Sequence, residues 1–488
     1  MPFRLSASRA SIPFFALMIL TFNVLFGSQV FAQVSGATLT GTVTDPSGAG
    51  VPNARISITD IATRVSRDVI SDNAGFFTAP NLLPGSYEIN ISAAGFRTQV
   101  RKGVKLTVGA QQVLNVGMLV GEITSTVQVT ENAPSVQLAS STISAEVDAT
   151  TVRELPLNGR SWTDLATLQP GVNSIQTQPS FASGSDRGNR GFGSQATISG
   201  ARPQQNNYRL DGVSINDYSN GAPGSVLGGN LGVDSIQEFS VLTSNYSAEY
   251  GKTSGGVVNA ITRSGTNAFH GSGYEFLRNS ALDARNFFEQ DPTKPKAEFR
   301  RNQFGGTVGG PIIKDRTFFF ADYEGIRQSK GIANVNFVPS QAARNGQLCS
   351  IPPVPTVPPD PNACTPSQLT PTSFTDANGV DLNVKKYLAL FPLTQNLIGN
   401  GDSGIYTFSG QQVIAENFFT TRIDHKISDK DSLFGTYLFD KTPYNSPDSM
   451  GMWNFTRNRR DRSSQWRRRI PSPRTSSMRS DSVSTTNS

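Results

Sequence analysis

From Gly36 to Val120, apolar and polar residues alternate in short runs separated by turn residues. Ala37 to Thr44 reads as a strand, and Ala54, Ile56 and Ile58 alternate with Arg55, Ser57 and Thr59. Tyr87, Ile89 and Ile91 repeat the period of two, followed by Val104, Leu106 and Val108 and then Val113 to Val120. Asp45-Pro46-Ser47-Gly48 and Ser71-Asp72-Asn73-Ala74-Gly75 supply the turns. About seven short strands at regular spacing predict a β-sandwich. From about Ala145 to Gly265 the chain turns rich in Gly, Asn, Ser and Gln, with a helix-like run at Trp162 to Leu168. Longer alternating runs follow at Phe269 to Leu277, Asn302 to Gly310, Thr317 to Arg327, Phe418 to His425 and Ser432 to Lys441. In the fourth run Phe419, Thr421 and Ile423 share one face, and Thr420, Arg422 and Asp424 share the other.

The N-terminus departs from alternation. Arg4 and Arg9 precede the apolar stretch Ile12 to Phe26, and Val30-Phe31-Ala32 places small residues around a cleavage point between Ala32 and Gln33. The stretch is shorter than the ~20 residues a spanning helix needs, so a signal peptide is expected over an anchor. No other window reaches 18 apolar residues, so any membrane span of the exported chain is built of strands.

Composition narrows the chemistry. The chain has 488 residues, 36% apolar and 16% charged, with 45 Gly. That excludes a highly charged disordered protein and a Leu-rich helical bundle. The net charge of +6 would invite a nucleic-acid reading, but nine Arg and two Asp after Thr456 give +7 and leave −1 for the rest. Only Trp466 punctuates that segment with an aromatic ring, so no nucleic-acid partner is expected. Two His and two Cys in the whole chain leave no metal site, and no cofactor is expected. No catalytic group is expected either. Gly401-Asp402-Ser403-Gly404 resembles a protease nucleophile motif, but only His270 precedes it, in an alternating run. Cys349 and Cys364, fifteen residues apart beside the Pro-rich run Pro352 to Pro361, suggest a disulfide in an exported chain, with two free thiols as the other reading.

Gly41-Thr42-Val43-Thr44-Asp45, Gly50-Val51-Pro52-Asn53-Ala54, Asn73-Ala74-Gly75-Phe76-Phe77 and Leu83-Pro84-Gly85-Ser86-Tyr87 resemble the carboxypeptidase regulatory-like domain. That resemblance implies a transthyretin-like, carbohydrate-binding-like sandwich and an accessory role, as a spacer or a sugar binder. Glu154-Leu155-Pro156-Leu157-Asn158-Gly159-Arg160, Asn207-Tyr208-Arg209-Leu210-Asp211-Gly212-Val213, Val233 to Phe239 and Gly255 to Thr262 follow in order. Together they resemble the plug domain of TonB-dependent receptors, in particular the Oar-like group. Gly309-Gly310-Pro311 through Tyr323-Glu324 resembles the same group. Between sandwich and plug, Thr126-Val127-Gln128-Val129-Thr130 resembles the box captured by a TonB-type periplasmic energy-transducing protein. An ordinary linker strand fits that short run equally well.

The expected fold is mainly β: a transthyretin/Ig-like sandwich, an α/β plug and an incomplete outer-membrane antiparallel β-barrel. The expected limits are signal peptide 1–32, sandwich 36–120, linker 121–144, plug 145–265, barrel strands 266–456 and a disordered basic tail 457–488. Eighteen of the 30 Phe fall within 266–456, as aromatic girdles would require. If the first barrel strand rises from the periplasm, the short turns Pro311 to Arg316 and Lys426 to Asp431 fall on the periplasmic side and the long connections outside. About five strands are too few to close in lipid, so a shortened or out-of-frame gene end is expected. The resemblance implies an outer-membrane receptor, not an enzyme. It would meet outer-membrane lipid and take up a siderophore, oligosaccharide or peptide. An exported carbohydrate-binding or adhesion protein is the alternative.

Overall fold

The structure is a computed structural model of the chain. It describes residues 36–487 except 122–125, 131–141, 158–159, 177–193, 217–231, 252, 285–297, 346, 350–368, 372–381, 399–400, 429–430, 449 and 470–480. The cleavage point between Ala32 and Gln33 lies outside the described residues.

Nine strands build the first unit: β1 (Ala37–Thr44), β2 (Arg55–Asp60), β3 (Ser66–Ile70), β4 (Phe76–Leu82), β5 (Gly85–Ser92), β6 (Thr98–Leu106), β7 (Gln111–Val113), β8 (Val116–Gly117) and β9 (Thr126–Thr130). One sheet has the order β4-β1-β7, with β8 also on β1; the other runs β3-β2-β5-β6-β9. The period of two sends Leu39 and Val43 from one sheet, and Ile56, Ile58, Ile89 and Ile91 from the other, into a shared core. Each large aliphatic side chain so buried contributes about 1.5–3 kcal/mol. β3 is absent from the sequence reading because its residues are mostly half exposed at a sheet edge, which erases the alternation.

The second unit contains α1 (Ala149–Glu154), β10 (Ile143–Val147), β11 (Val172–Gln176), β12 (Ser194–Ile198), β13 (Asn207–Leu210), β14 (Val213–Ser214), β15 (Ile236–Ser244) and β16 (Val257–Thr262). Its mixed five-stranded sheet has the order β10-β15-β16-β13-β14, and β11 and β12 form a separate hairpin. Asp148 starts α1 by accepting the Thr151 N–H at 2.9 Å, a helix start that the sequence reading missed. The helix-like run Trp162–Leu168 is a 3-10 helix, whose three-residue spacing directs Trp162 and Leu165 inward. Trp162 meets Phe239 edge to face at 5.2 Å between ring centres.

The third unit is one antiparallel wall: β17 (His270–Asn279), β18 (Phe299–Ile313), β19 (Thr317–Pro339), β23 (Ser403–Lys426), β24 (Ser432–Pro447), β25 (Asn454–Arg469) and β26 (Asp481–Asn487) pair in that order. Between β19 and β23 lie α2 (Gln341–Arg344), β20 (Gln347–Cys349), β21 (Leu369–Pro371), α3 (Leu382–Leu388) and β22 (Asn396–Ile398), the last paired with β23. Among the described residues β17 and β26 do not pair, so this wall is not closed. The 24 residues of β23 extend about 80 Å, well beyond a hydrocarbon core of about 30 Å. Arg316 between β18 and β19, and Ser428 and Asp431 between β23 and β24, lie beside the sandwich, and the strand ends Asn279, Phe299, Pro339 and Ser403 lie at the other end. Asn267 fixes the sandwich to that rim: its N–H donates to the Ala62 carbonyl at 3.1 Å and its Nδ2 to the Thr63 carbonyl and Asp315 Oδ1, both at 2.7 Å.

Within the segment expected as a tail from Arg457, the described residues 457–469 and 481–487 lie in strands. β25 pairs with β24 without a break from Asn454↔Pro447 to Arg469↔Ser432, and β26 then pairs with β25. A ladder uses backbone groups that every sequence has, and the outer edge of β24 needs partners wherever lipid replaces water. The side-chain pattern of Arg457 to Arg469 carried no sign of this.

Candidate plug and wall interface

β13 and β14 are joined by Asp211 and Gly212, both at positive φ (50° and 85°), the geometry of a two-residue hairpin turn. The turn presents the Asp211 carboxylate to the wall. Arg422 on β23 is fully buried and meets it there: Nη1 donates to Asp211 Oδ1 at 3.1 Å, to the Thr262 carbonyl at 3.0 Å and to Thr262 Oγ1 at 2.9 Å. Nε and Nη2 of Arg422 form a fork with Asp424 at 2.8 Å each, and the guanidinium lies 4.5 Å from the Phe434 ring centre. Asp211 also accepts from the Thr262 N–H at 3.0 Å, from Thr262 Oγ1 at 2.7 Å and from Thr436 Oγ1 at 3.1 Å. Ser264 Oγ donates to Asp424 at 2.7 Å. One guanidinium thus joins two carboxylates, one from the plug-like sheet and one from the wall. The alternation of β23 predicted this face: Thr420, Arg422 and Asp424 point inward, with Phe419 and Ile423 exposed outside.

A second contact lies around Arg160, itself at positive φ. Its guanidinium pairs with Asp234 and stacks over Tyr274 and Phe276 of β17, 4.2 and 4.6 Å from their ring centres. Glu324 on β19 accepts from Tyr274 Oη at 2.7 Å and from Gln303 Nε2 at 2.5 Å. The neighbouring Asp322 is 1% exposed and its carboxylate oxygens have no hydrogen-bond partner among the described residues. A Cβ at Gly232 would stand 2.8 Å from Glu324 Oε2, so a larger residue there would displace the Glu324 carboxylate.

The sandwich touches the plug-like sheet through the turn after β6. The Val108 N–H donates to Glu238 Oε1 at 2.5 Å. Glu238 is 4% exposed, and burial, then the Glu146 carboxylate, push its carboxyl up to about 8. Lys105 Nζ lies 4.0 Å from Glu146 and 3.9 Å from Asp148. Between the sandwich and the rim is a cavity of about 130 Å³ lined by Asp60, Tyr87, Arg316 and Phe434 among others. That is too small for a typical ligand site of about 300–1,000 Å³.

The remaining sequence candidates fall elsewhere. Thr126–Thr130 forms β9, parallel to β6. Cys349 ends β20, and Cys364 lies outside the described residues. Ser403 pairs with Pro339, while His270 is in register with Gly309 and, through it, Phe320. About 60 Å of strand separates those positions, so they share no site. Among the described residues no group of three His, Cys, Asp or Glu side chains is placed to hold a metal ion. Nor is any helix there long and apolar enough to cross a membrane, which says nothing of strands.

Three family descriptions match along the chain: the carboxypeptidase regulatory-like domain at residues 38–119, the TonB-dependent receptor plug domain at 135–258 and the outer membrane beta barrel domain at 261–476. The chain is 28% identical over 317 residues to the TonB-dependent transporter Oar of Myxococcus xanthus, covering 63% of this chain and 28% of that protein. It is 31% identical over 160 residues to the "Probable TonB-dependent siderophore receptor PirA" of Acinetobacter baumannii, covering 31% of this chain and 19% of that one. The matched part therefore spans under a third of either relative. Among solved structures, the outer membrane transporter YddB from Escherichia coli aligns with 67% of this chain and 37% of its own, at 13% identity and a TM-score of 0.42. The siderophore receptor PirA from Acinetobacter baumannii aligns with 67% and 44%, at 19% identity and a TM-score of 0.33. With a regulatory-like sandwich, a plug and an outer-membrane strand wall in that order, the chain belongs to the TonB-dependent receptors of the outer membrane.

Proposed function

We propose that the chain serves energy-driven uptake of a small ligand across the outer membrane, with Thr126–Thr130 as the segment captured by a TonB-type periplasmic protein. One observation carries this reading: the plug is tied to the wall by the buried Arg422–Asp211–Thr262–Asp424 network. Well-packed apolar groups would hold two static parts together as well or better than a buried ion pair. A network of discrete hydrogen bonds, by contrast, can be exchanged for water when the plug shifts. Ferric siderophores are the first ligand class to test, because one relative is named a siderophore receptor; oligosaccharides and peptides come next. In the same reading export begins with cleavage between Ala32 and Gln33, and a Cys349–Cys364 disulfide ties the outer connection between β19 and β23. The function includes no enzymatic step.

The test uses a host lacking its own siderophore receptors. Uptake of radioactive iron from a panel of siderophores is measured with the full chain and with a variant lacking Thr126–Thr130. The expected result is uptake from some siderophores and not others, lost on deletion of the segment and on collapse of the proton gradient. Uptake unchanged by both treatments would rule the reading out.

A further inference from the structure

β9 is the outermost strand of the sandwich's five-stranded sheet. It runs parallel to β6 in continuous register, from Thr98↔Thr126 to Lys102↔Thr130. The chain reaches this position from the start of β6, where Phe96 and Val120 form a bridge and the Gly121 N–H donates to the Gly95 carbonyl at 3.2 Å. At its other end β6 leads directly into Thr107 to Ala110, the turn whose Val108 N–H is bonded to Glu238 of the plug. One strand thus holds the Thr126–Thr130 segment along its edge and the plug at its tip.

We propose that the sandwich stores Thr126–Thr130 on the edge of β6 and must release it before a partner's pull reaches the plug. This rests on the reading of that segment as the captured strand. The covalent path from the segment to the plug runs through residues 131–142 into β10. While the segment is paired with β6, a pull on it loads the sandwich; once it leaves β6, the same pull loads β10. Storage is easily displaced because the ladder is five residues long, lies at a sheet edge and is parallel, the weaker pairing per residue. A partner strand offering an antiparallel edge competes for the same backbone groups.

A reversible lock separates the outcomes. Lys102→Cys with Thr130→Cys marks the far end of the ladder, because Thr126 is held near β6 by its short tether to Gly121 whether or not the ladder forms. The full chain is purified in detergent and oxidised. Its binding to the purified C-terminal domain of the host's TonB-type protein is then measured before and after reduction. We expect the cross-link to form, and binding to fall at least tenfold when oxidised and to recover on reduction, with each single-cysteine variant unaffected. Absence of the cross-link, or equal binding in both states, overturns storage. A cross-link combined with no binding in the reduced chain, unchanged by deleting Thr126–Thr130, overturns the capture reading itself, and storage as a control of capture falls with it.

Discussion

Arg422 is the side chain on which the interface turns. Its charge is compensated by Asp211 across the interface and by Asp424 on its own strand. Replacing it with Ala leaves two buried carboxylates facing each other without a cation, a loss of about 3–5 kcal/mol for breaking a buried pair. Arg422→Lys keeps the charge but loses the fork, so it falls between wild type and Ala. Urea unfolding followed through Trp162, with Trp453 and Trp466 replaced by Phe, reads this in the plug core. Gly212 has a smaller effect of the same sign. At φ 85° a Cβ is disfavoured, so Gly212→Ala costs about 1–2 kcal/mol in the same assay. The motif Leu210-Asp211-Gly212-Val213 was legible in the sequence, and so was the inward face of Arg422. Their meeting was not, because 211 residues separate them and no local pattern encodes a pairing across two units.

At the scale of elements, the turn after β6 makes docking of the sandwich depend on pH. The Glu238 carboxyl is raised from an ordinary carboxylic acid to about 8 in the docked state. The folded protein therefore binds more protons at Glu238 than the unfolded chain between about pH 4.5 and 8, and the fold that holds this contact weakens as pH rises through that window. Above about pH 8 the dependence levels off. Glu238→Gln keeps an acceptor for the Val108 N–H without the charge, so the fall in docking with rising pH is smaller in this variant. Protease nicking at the sandwich–plug connection from pH 5 to 9 reports both; a wild-type profile that tightens with rising pH would contradict the sign. Elements also show where sequence patterns fail. β1, β2 and β5 were readable because one face of each is buried, which enforces the period of two. β3 at an exposed edge and β25 with its run of Arg were not, because backbone pairing alone defines them.

For the whole molecule, Asn267 joins sandwich and rim, Val108 with Glu238 joins sandwich and plug, and Arg422 with Asp211 and Arg160 with Tyr274 and Phe276 join plug and wall, where Phe418 also packs into the plug core. The order of the units was readable from motifs, whereas the strand lengths were not. β19 and β23 run far past the alternating segments because polar residues continue a ladder as well as apolar ones once it leaves lipid. The plug is seated against the strand wall through the Asp211 turn. Asp211→Cys with Thr436→Cys probes this seating, since these side chains touch at 3.1 Å across the interface. Cells producing this variant are fractionated and the cross-link is assayed after mild oxidation. A cross-linked chain is expected in the outer-membrane fraction. A soluble periplasmic chain, or a membrane-bound chain whose two cysteines stay apart, would contradict it.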